Sequence, residues 1–458
     1  MTRWMWSRTW ITVALSALAA SPAGAQTPRP ALDAVAFEIA GGASIPAERG
    51  SFTVPKNREP AARSGTLTLR YVRFASTSAR PAPPLVFLAG GPGDAATRVF
   101  RGLPREMLDR LLAVGDLIAF DQRGTGTSEP AAVCPPGPSA PLDRPLDPVA
   151  LVETMKTRLT ACLSNLRASG VDISGLTTEE SADDVNDLRE ALGARQVMLL
   201  AGSYGTHLAL AVARRHPTAV ARMVLLGVEG PDDTVKLPIR VDETLRRIDA
   251  AHPGLVASIR TLLERLRREP WTKTLPNGQA VTVGPWDLQR RVADSLDTLP
   301  KIDALGPALA GMQDGDYSDL IRWTIPFRLP KPLNMMNLAM DCASFASAER
   351  LALVREQAPA ALLGDAMNFP LPGVCDVPGL PRLADTFRTP VVSAVPALLV
   401  AGTFDGRTPP ANAEAVAKGL AHATVLIIPG ASHSLFREAA AMAAAVDFLR
   451  QSVPTPAK

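Results

Sequence analysis

A hydroxyl, an imidazole and a carboxylate together can carry acyl transfer, and this chain places one of each just after a short apolar run. Val197-Met198-Leu199-Leu200 leads into Ala201-Gly202-Ser203-Tyr204-Gly205, a small-x-Ser-x-Gly segment with Ala in place of the usual first Gly. A sharp strand-to-helix turn that exposes the serine Oγ leaves no room for large neighbours, so small residues flank it. Such a nucleophile elbow has its partners in the chain order Ser, acid, His. The chain has five histidines. His207 falls one helical turn beyond Ser203, His216 and His252 stand beside prolines, and His422 precedes an apolar run; packing or surface roles suit all four. His433, in the loop after Val425-Leu426-Ile427-Ile428, is left as the base. Asp405 follows Ala397-Leu398-Leu399-Val400. Asp-Gly is also an ordinary turn signal. The place of Asp405 at a strand's carboxyl end, with room for one helix and one strand before His433, favours it as the acid that orients the imidazole.

Acyl transfer also needs backbone donors for an oxyanion. Ala89-Gly90-Gly91-Pro92-Gly93 follows Leu85-Val86-Phe87-Leu88, and its glycines let N–H groups approach a substrate. Gly91 is assigned one donor, with Gly90 as the near alternative, and Tyr204, just after the serine, supplies the other. A dinucleotide cradle would need the full G-x-G-x-x-G spacing and an acidic residue after the next strand; the loop lacks that pattern.

These residues must be held by a common frame. The runs named above, with Leu117-Ile118-Ala119-Phe120 and Met223-Val224-Leu225-Leu226, are continuous and apolar, as strands covered on both faces require. Helical stretches at Ser181 to Leu192 and Thr206 to Arg215 alternate with them, which predicts an α/β fold with a mostly parallel sheet. Thr66 to Phe74 alternates polar and apolar residues, as a half-exposed antiparallel strand does, and residues 26 to about 60 read as an irregular arm. From 230 to 390 the alternation gives way to helices near Val241 to Ala250, Leu255 to Arg268, Pro285 to Ser295 and Ser347 to Gln357, with no convincing buried strand. That pattern predicts a helical lid over the strands' carboxyl ends, splitting a core of residues 26–229 and 391–458.

The 458 residues are 47% apolar and 20% charged, ample for a large core. Forty-eight basic against forty-five acidic residues leave +3 without long runs of one sign, and nothing resembles a nucleic-acid footprint. Arg3 and Arg8, the uncharged stretch Trp10 to Ala20 and Ala23-Gly24-Ala25 together read as a cleavable signal over residues 1–25. The stretch is shorter than the roughly 20 residues a membrane span takes. A periplasmic or secreted product without a membrane anchor follows. In an oxidising compartment the four cysteines pair in sequence as Cys134–Cys162 and Cys342–Cys375, each bridge worth about 3 kcal/mol in the chain-entropy picture. No CxxC or HxxxH spacing points to a metal.

LAGGPG at 88–93, DQRGTGTS at 121–128, AGSYGTHLAL at 201–210, AGTFDGRTP at 401–409 and GASHS at 430–434 resemble the proline iminopeptidase and tripeptidyl aminopeptidase family of serine peptidases. The resemblance covers most of the chain outside the lid. It implies the α/β-hydrolase fold with a helical lid, a Ser203–His433–Asp405 triad, release of residues from a peptide's free amino end, and no metal or cofactor. It also implies that Asp121 and Arg123 pair to brace the oxyanion loop. Two departures stand out. Ala89 replaces the family's usual His, and Cys342-Ala343-Ser344-Phe345 lacks the lid carboxylates of the family's Cys-x-Glu-Asp. Glu229, Asp232, Asp233 and Asp341 are the acidic residues that can take their place against a substrate ammonium. The alternatives are a carboxylesterase acting on a small ester or lactone with the same triad, and a non-catalytic binding protein of the same fold. The last would be marked by loss of a triad member, and none is lost.

Overall fold

The computed structural model describes residues 1–2, 32–59 and 65–451. The expected signal segment, 1–25, therefore lies outside the described residues apart from its first two. Thirteen strands are present among them: β1 (Asp33–Glu38), β2 (Ser44–Pro55), β3 (Thr66–Phe74), β4 (Ala82–Leu88), β5 (Gly115–Asp121), β6 (Val133–Cys134), β7 (Val197–Gly202), β8 (Val220–Leu226), β9 (Trp271–Thr274), β10 (Ala280–Val283), β11 (Leu333–Asn334), β12 (Ala397–Gly402) and β13 (Ala423–Ile428). Nine form one sheet in the order β1-β2-β3-β5-β4-β7-β8-β12-β13. β1, β2, β3 and β5 pair antiparallel, and every pairing from β5 through β4 to β13 is parallel. This is the α/β architecture the apolar runs predict.

Every residue of β7, β8 and β12 is buried. Successive side chains point to opposite faces, and both faces are covered: Leu199 and Ala201 join the core on one side, Met198 and Leu200 the core on the other. Two expectations fail at the sheet's edges. The described part of the expected irregular arm, residues 32–59, is not irregular, because β1 and β2 occupy most of it. β2 buries Ile45 and Ala47 on one face and Val54 on the other, so its period-2 signal changes phase along the strand and is further masked by the small and polar residues between them. β13 is an edge strand with Thr424 and Val425 exposed, so its apolar run is not covered on both faces.

Between β8 and β12 the chain leaves the sheet. Helices Pro238–Ala251, Leu255–Arg268, Pro285–Ser295 and Ser318–Arg328 enclose a core of their own, with Leu245, Leu262, Leu288 and Tyr317 buried in it. Contrary to the expectation of helices alone, β9 and β10 make a hairpin in which Val281 and Val283 are fully buried. The signal was present: Asn277-Gly278 sits between the strands, and Gly278 takes φ +82 as such tight turns require. Cys134–Cys162 and Cys342–Cys375 form disulfides. Among the described residues, no helix is long and apolar enough to cross a membrane.

Asp121 and Arg123 do not pair with each other. Asp121 ends β5 and Arg123 lies just beyond it, and each side chain finds its own partner elsewhere in the fold. Asp121 accepts from the Thr97 N–H and hydroxyl at 3.0 Å, fixing the helix Ala96–Arg101 that follows the glycine loop. Arg123, fully buried, donates to Asp184 from Nε at 2.6 Å and Nη2 at 2.7 Å, and to the Gly175 carbonyl at 2.7 Å. Removing one member of a buried pair strands the other charge. Asp184→Ala is expected to cost about 3–5 kcal/mol of folding stability, read as a lowered urea midpoint with an unchanged slope.

Candidate active site

Five neighbouring strands end on one edge of the sheet, and each delivers part of a single site. In the order β4-β7-β8-β12-β13, they are followed by the glycine loop, Ser203, Gly227 to Glu229, Asp405 and His433. Between β7 and the helix Tyr204–Arg215 the whole change of direction falls on Ser203, at φ 54 and ψ −128. A left-handed backbone at a non-glycine residue is strained and persists where its surroundings hold it. Here the Ser203 N–H donates to Leu226 O at 2.9 Å, and the next helix packs so closely that a Cβ on Gly205 would lie 2.1 Å from Leu88 O. A Cβ on Gly202 would meet the Phe436 ring at 2.7 Å. The small residues around the serine are thus demanded by contacts on both sides.

Asp405 is fully buried and saturated with donors. Its Oδ1 accepts from the N–H groups of Arg407 and Thr408 at 2.8 Å each. Its Oδ2 accepts from Thr408 Oγ1 at 2.7 Å and from His433 Nδ1 at 2.8 Å. The imidazole is thereby oriented with Nδ1 toward the acid and Nε2 left for a reacting group. β8 lies between the strand that carries Ser203 and the two that carry Asp405 and His433, and Gly227 opens the way across it. A Cβ there would stand 3.2 Å from His433 Cε1 and 2.9 Å from Thr408 Oγ1, and its φ of +66 itself favours glycine. Ser203 and His433 line one cavity of about 590 Å3.

Gly90 and Gly91 line the same cavity. A Cβ on Gly90 would touch Ser203 Cβ at 3.0 Å, and Gly91 adopts φ +108. The loop is braced by Gln122, which donates to Ala89 O at 3.1 Å. Tyr204 heads its helix, so its N–H has no intrahelical partner and faces the Ser203 side of the turn. The Tyr204 side chain is buried behind the elbow, where a chain of hydrogen bonds runs from its hydroxyl through Thr178 and Ser344 to His207 Nε2 at 3.0–3.1 Å. His207 Nδ1 donates to Gly230 O at 3.0 Å. Burial lowers the pKa of His207, which suits a neutral ring with one donor and one acceptor.

Of the four acidic candidates, Glu229 and Asp341 line the cavity, while Asp232 and Asp233 are committed elsewhere. Asp232 caps the helix Ala348–Gln357 by accepting from Ser347 N and Oγ at 2.6 and 2.7 Å, and Asp233 pairs with Arg350 at 2.8 Å. Lys236, also in the cavity wall, bonds Glu229 Oε2 at 2.8 Å. Burial pushes the Glu229 carboxyl upward, but the Lys236 ammonium, together with the neighbouring His207 and His433, outweighs it and holds Glu229 below the usual range. Asp341 has no such partner among the described residues. Removal from water, reinforced by the Glu229 charge, raises it well above the usual carboxylate range against the opposing pull of Lys236.

Residues 83–440 match the family model for the alpha/beta hydrolase fold. The chain belongs to the alpha/beta hydrolase family. Curated relatives include the serine protease Hip1 of Mycobacterium tuberculosis, 30% identical over 185 residues covering 38% of this chain and 34% of Hip1. Another is the tripeptidyl aminopeptidase of Streptomyces lividans, 26% identical over 200 residues covering 41% of this chain and 36% of the relative. The matched region spans about a third of the length of these relatives. Among solved structures, the proline iminopeptidase-related protein of Thermus thermophilus aligns over 89% of this chain and 99% of its own at 20% identity, with a TM-score of 0.40.

Within this hydrolase, four contributors are not singled out by the sequence: Thr408, Gln122, Gly227 and Lys236. Thr408 and Gln122 lie inside recognisable motifs, so their positions are in view and their partners are not. Lys236 and Gly227 gain their meaning only from three-dimensional proximity. Asp341 generates a pH prediction. A carboxyl raised in the folded state costs stability once the unfolded chain ionises, that is, as pH climbs above about 4 toward the raised value. Asp341→Asn is therefore expected to match the wild-type Tm at the acid end and to exceed it increasingly toward pH 7 in calorimetric scans. A constant offset across that range would contradict the shift.

Proposed function

We propose that the chain is an exported serine hydrolase that removes residues from the free amino end of peptides. In this reading Ser203 is the nucleophile, His433 the general base and Asp405 the group that orients it. His433 Nε2 takes the Ser203 Oγ proton as Oγ bonds to the scissile carbonyl carbon. The N–H groups of Gly91 and Tyr204, with Gly90 as alternative, receive the oxyanion. His433 then hands the proton to the leaving amine as the C–N bond breaks, and a water deprotonated by His433 hydrolyses the acyl-enzyme. One observation carries the proposal: a buried, donor-saturated Asp405 holds His433 at 2.8 Å on the wall of the cavity that contains the strained Ser203. Export is supported by the N-terminal signal pattern and by two disulfides, which persist in oxidising compartments. The segment 230–390 acts as the lid.

The peptidase reading gives Asp341 and Glu229 to the substrate's ammonium group. A bound ammonium would draw Asp341 into its ionised form and form a charge-assisted bond. A specific observation also favours ester hydrolysis: in the free protein Lys236 already neutralises Glu229, and Asp341 is held toward its neutral form, so the cavity offers little net negative charge. Aminoacyl anilides with free and acetylated amines, compared with short phenyl esters, separate the two. Preference for the free amine, reduced by Asp341→Asn mainly through KM, supports the peptidase; equal treatment of both anilides with strong ester turnover supports the esterase. Ser203→Ala is expected to lower kcat on the order of 10⁶-fold, and Asp405→Asn on the order of 10⁴-fold, on either substrate class. Full turnover by Ser203→Ala would remove the serine mechanism altogether.

A further inference from the structure

A second cavity, of about 630 Å3, adjoins the first. Met155, Leu333 and Phe369 stand in the walls of both. Its remaining lining is largely apolar, with Leu146, Leu151, Phe327 and Leu329 among the residues, beside the basic Arg144, Arg158, Arg328 and Lys331. Nothing in the proposed chemistry uses this space.

The helix Met335–Ser344 and the residues just before it relate the two cavities. Asp341 lies near the helix's carboxyl end, beside Glu229 in the first cavity. One turn earlier, Asn337 donates to Pro92 O, and a Cβ on Gly93 would touch Asn337 Cβ at 3.3 Å, so the helix crosses the oxyanion loop there. Leu333 precedes the helix on the other side of that crossing, in the shared wall. Asp341 and Asn337 stand one helical turn, roughly 5–6 Å, apart along this helix, and Leu333, on β11 just before it, stands in the wall that the two cavities share.

The shared wall is firmly built. Leu333 on β11 pairs in register with Cys134 on β6, and Cys134 is bridged to Cys162. Met155 lies on the same helix as Cys162, Pro148–Ala168, two turns earlier and so on the same face. Phe369 packs edge-on against Trp286 at 5.0 Å between ring centroids. The second disulfide ties Cys342, next to Asp341, to Cys375 at the end of the loop that carries Phe369.

We infer that the second chamber binds the apolar leaving portion of the substrate, the residues beyond the scissile bond of a peptide whose amine sits at Asp341. Met155, Leu333 and Phe369 form the threshold that this portion crosses. The inference rests on Ser203 being the nucleophile and on the amine end lying at Asp341, and it adds a preference for extended apolar peptides that a small anilide cannot show.

The test compares the free-amine anilide that the enzyme turns over best with the same residues extended on the leaving side by Leu-Ala-Leu. The extended peptide is expected to show a kcat/KM about tenfold higher or more, the effect of burying roughly one further apolar side chain. Leu151 lines only the second chamber, and Leu151→Trp fills it. That variant is expected to lose the gain while hydrolysing the anilide as wild type does. Calorimetric titration of both peptides into Ser203→Ala protein, with and without Leu151→Trp, reads the chamber independently of turnover. Equal turnover of short and extended substrates, with binding insensitive to Leu151→Trp, overturns the chamber and leaves the serine mechanism standing. A gain confined to long-chain acyl esters also overturns it, by placing the acyl side there. Length-dependent binding that Leu151→Trp abolishes, in a protein without turnover, keeps the chamber and removes the hydrolytic reading.

Discussion

At Ser203 the polypeptide passes from a buried strand to a buried helix with no loop between them, and one residue takes up the whole change of direction in a left-handed conformation. Such a backbone costs on the order of 1–3 kcal/mol. It is held by the Leu226 carbonyl on one side and by the close approach of Gly205 to Leu88 on the other. Much else in the site follows from that turn. Ser203 reaches the wall of the cavity, and Gly202, Gly90 and Gly227 must all lack side chains so that neighbouring loops can close in.

The region between β8 and β12 supplies much of the cavity wall opposite the sheet edge. Its helix Met335–Ser344 lines the cavity that holds Ser203 and is fixed from both sides. A buried hydroxyl–imidazole chain ties Ser344 to the elbow helix through Thr178 and His207, and a disulfide ties Cys342 to the loop ending at Cys375. Fully partnered polar groups in a buried setting specify one arrangement. The geometry between Ser203 and the Asp341 carboxyl is accordingly set by hydrogen bonds and covalent bridges. The charge balance there is close: Lys236 holds Glu229 ionised, and Asp341, without a cation of its own among the described residues, is raised.

Legibility in the sequence follows how local each feature is. Parallel strands covered on both faces declare themselves as unbroken apolar runs, so β4, β5, β7, β8 and β12 can be read directly. Ser203, Asp405 and His433 stand out as candidates because each follows an apolar run. β2 escapes because its inward residues alternate with small and polar ones, and the β9–β10 hairpin because its Asn-Gly turn lies within a largely helical stretch. The expected pairing of Asp121 with Arg123 fails because each is taken up by a partner distant in sequence, Thr97 for Asp121 and Asp184 for Arg123, which no local pattern shows. Lys236 is invisible as a site residue: a lysine near an acidic segment reads as solvent-exposed until folding sets its ammonium beside Glu229.

The most direct test of the serine mechanism is covalent. After exposure of the folded protein to a fluorophosphonate, intact mass should show one adduct, and peptide mapping should place it on Ser203. Labelling should be lost in Ser203→Ala and strongly slowed in His433→Ala. A folded wild-type protein that takes up no adduct, or takes it up equally fast without His433, would contradict the account.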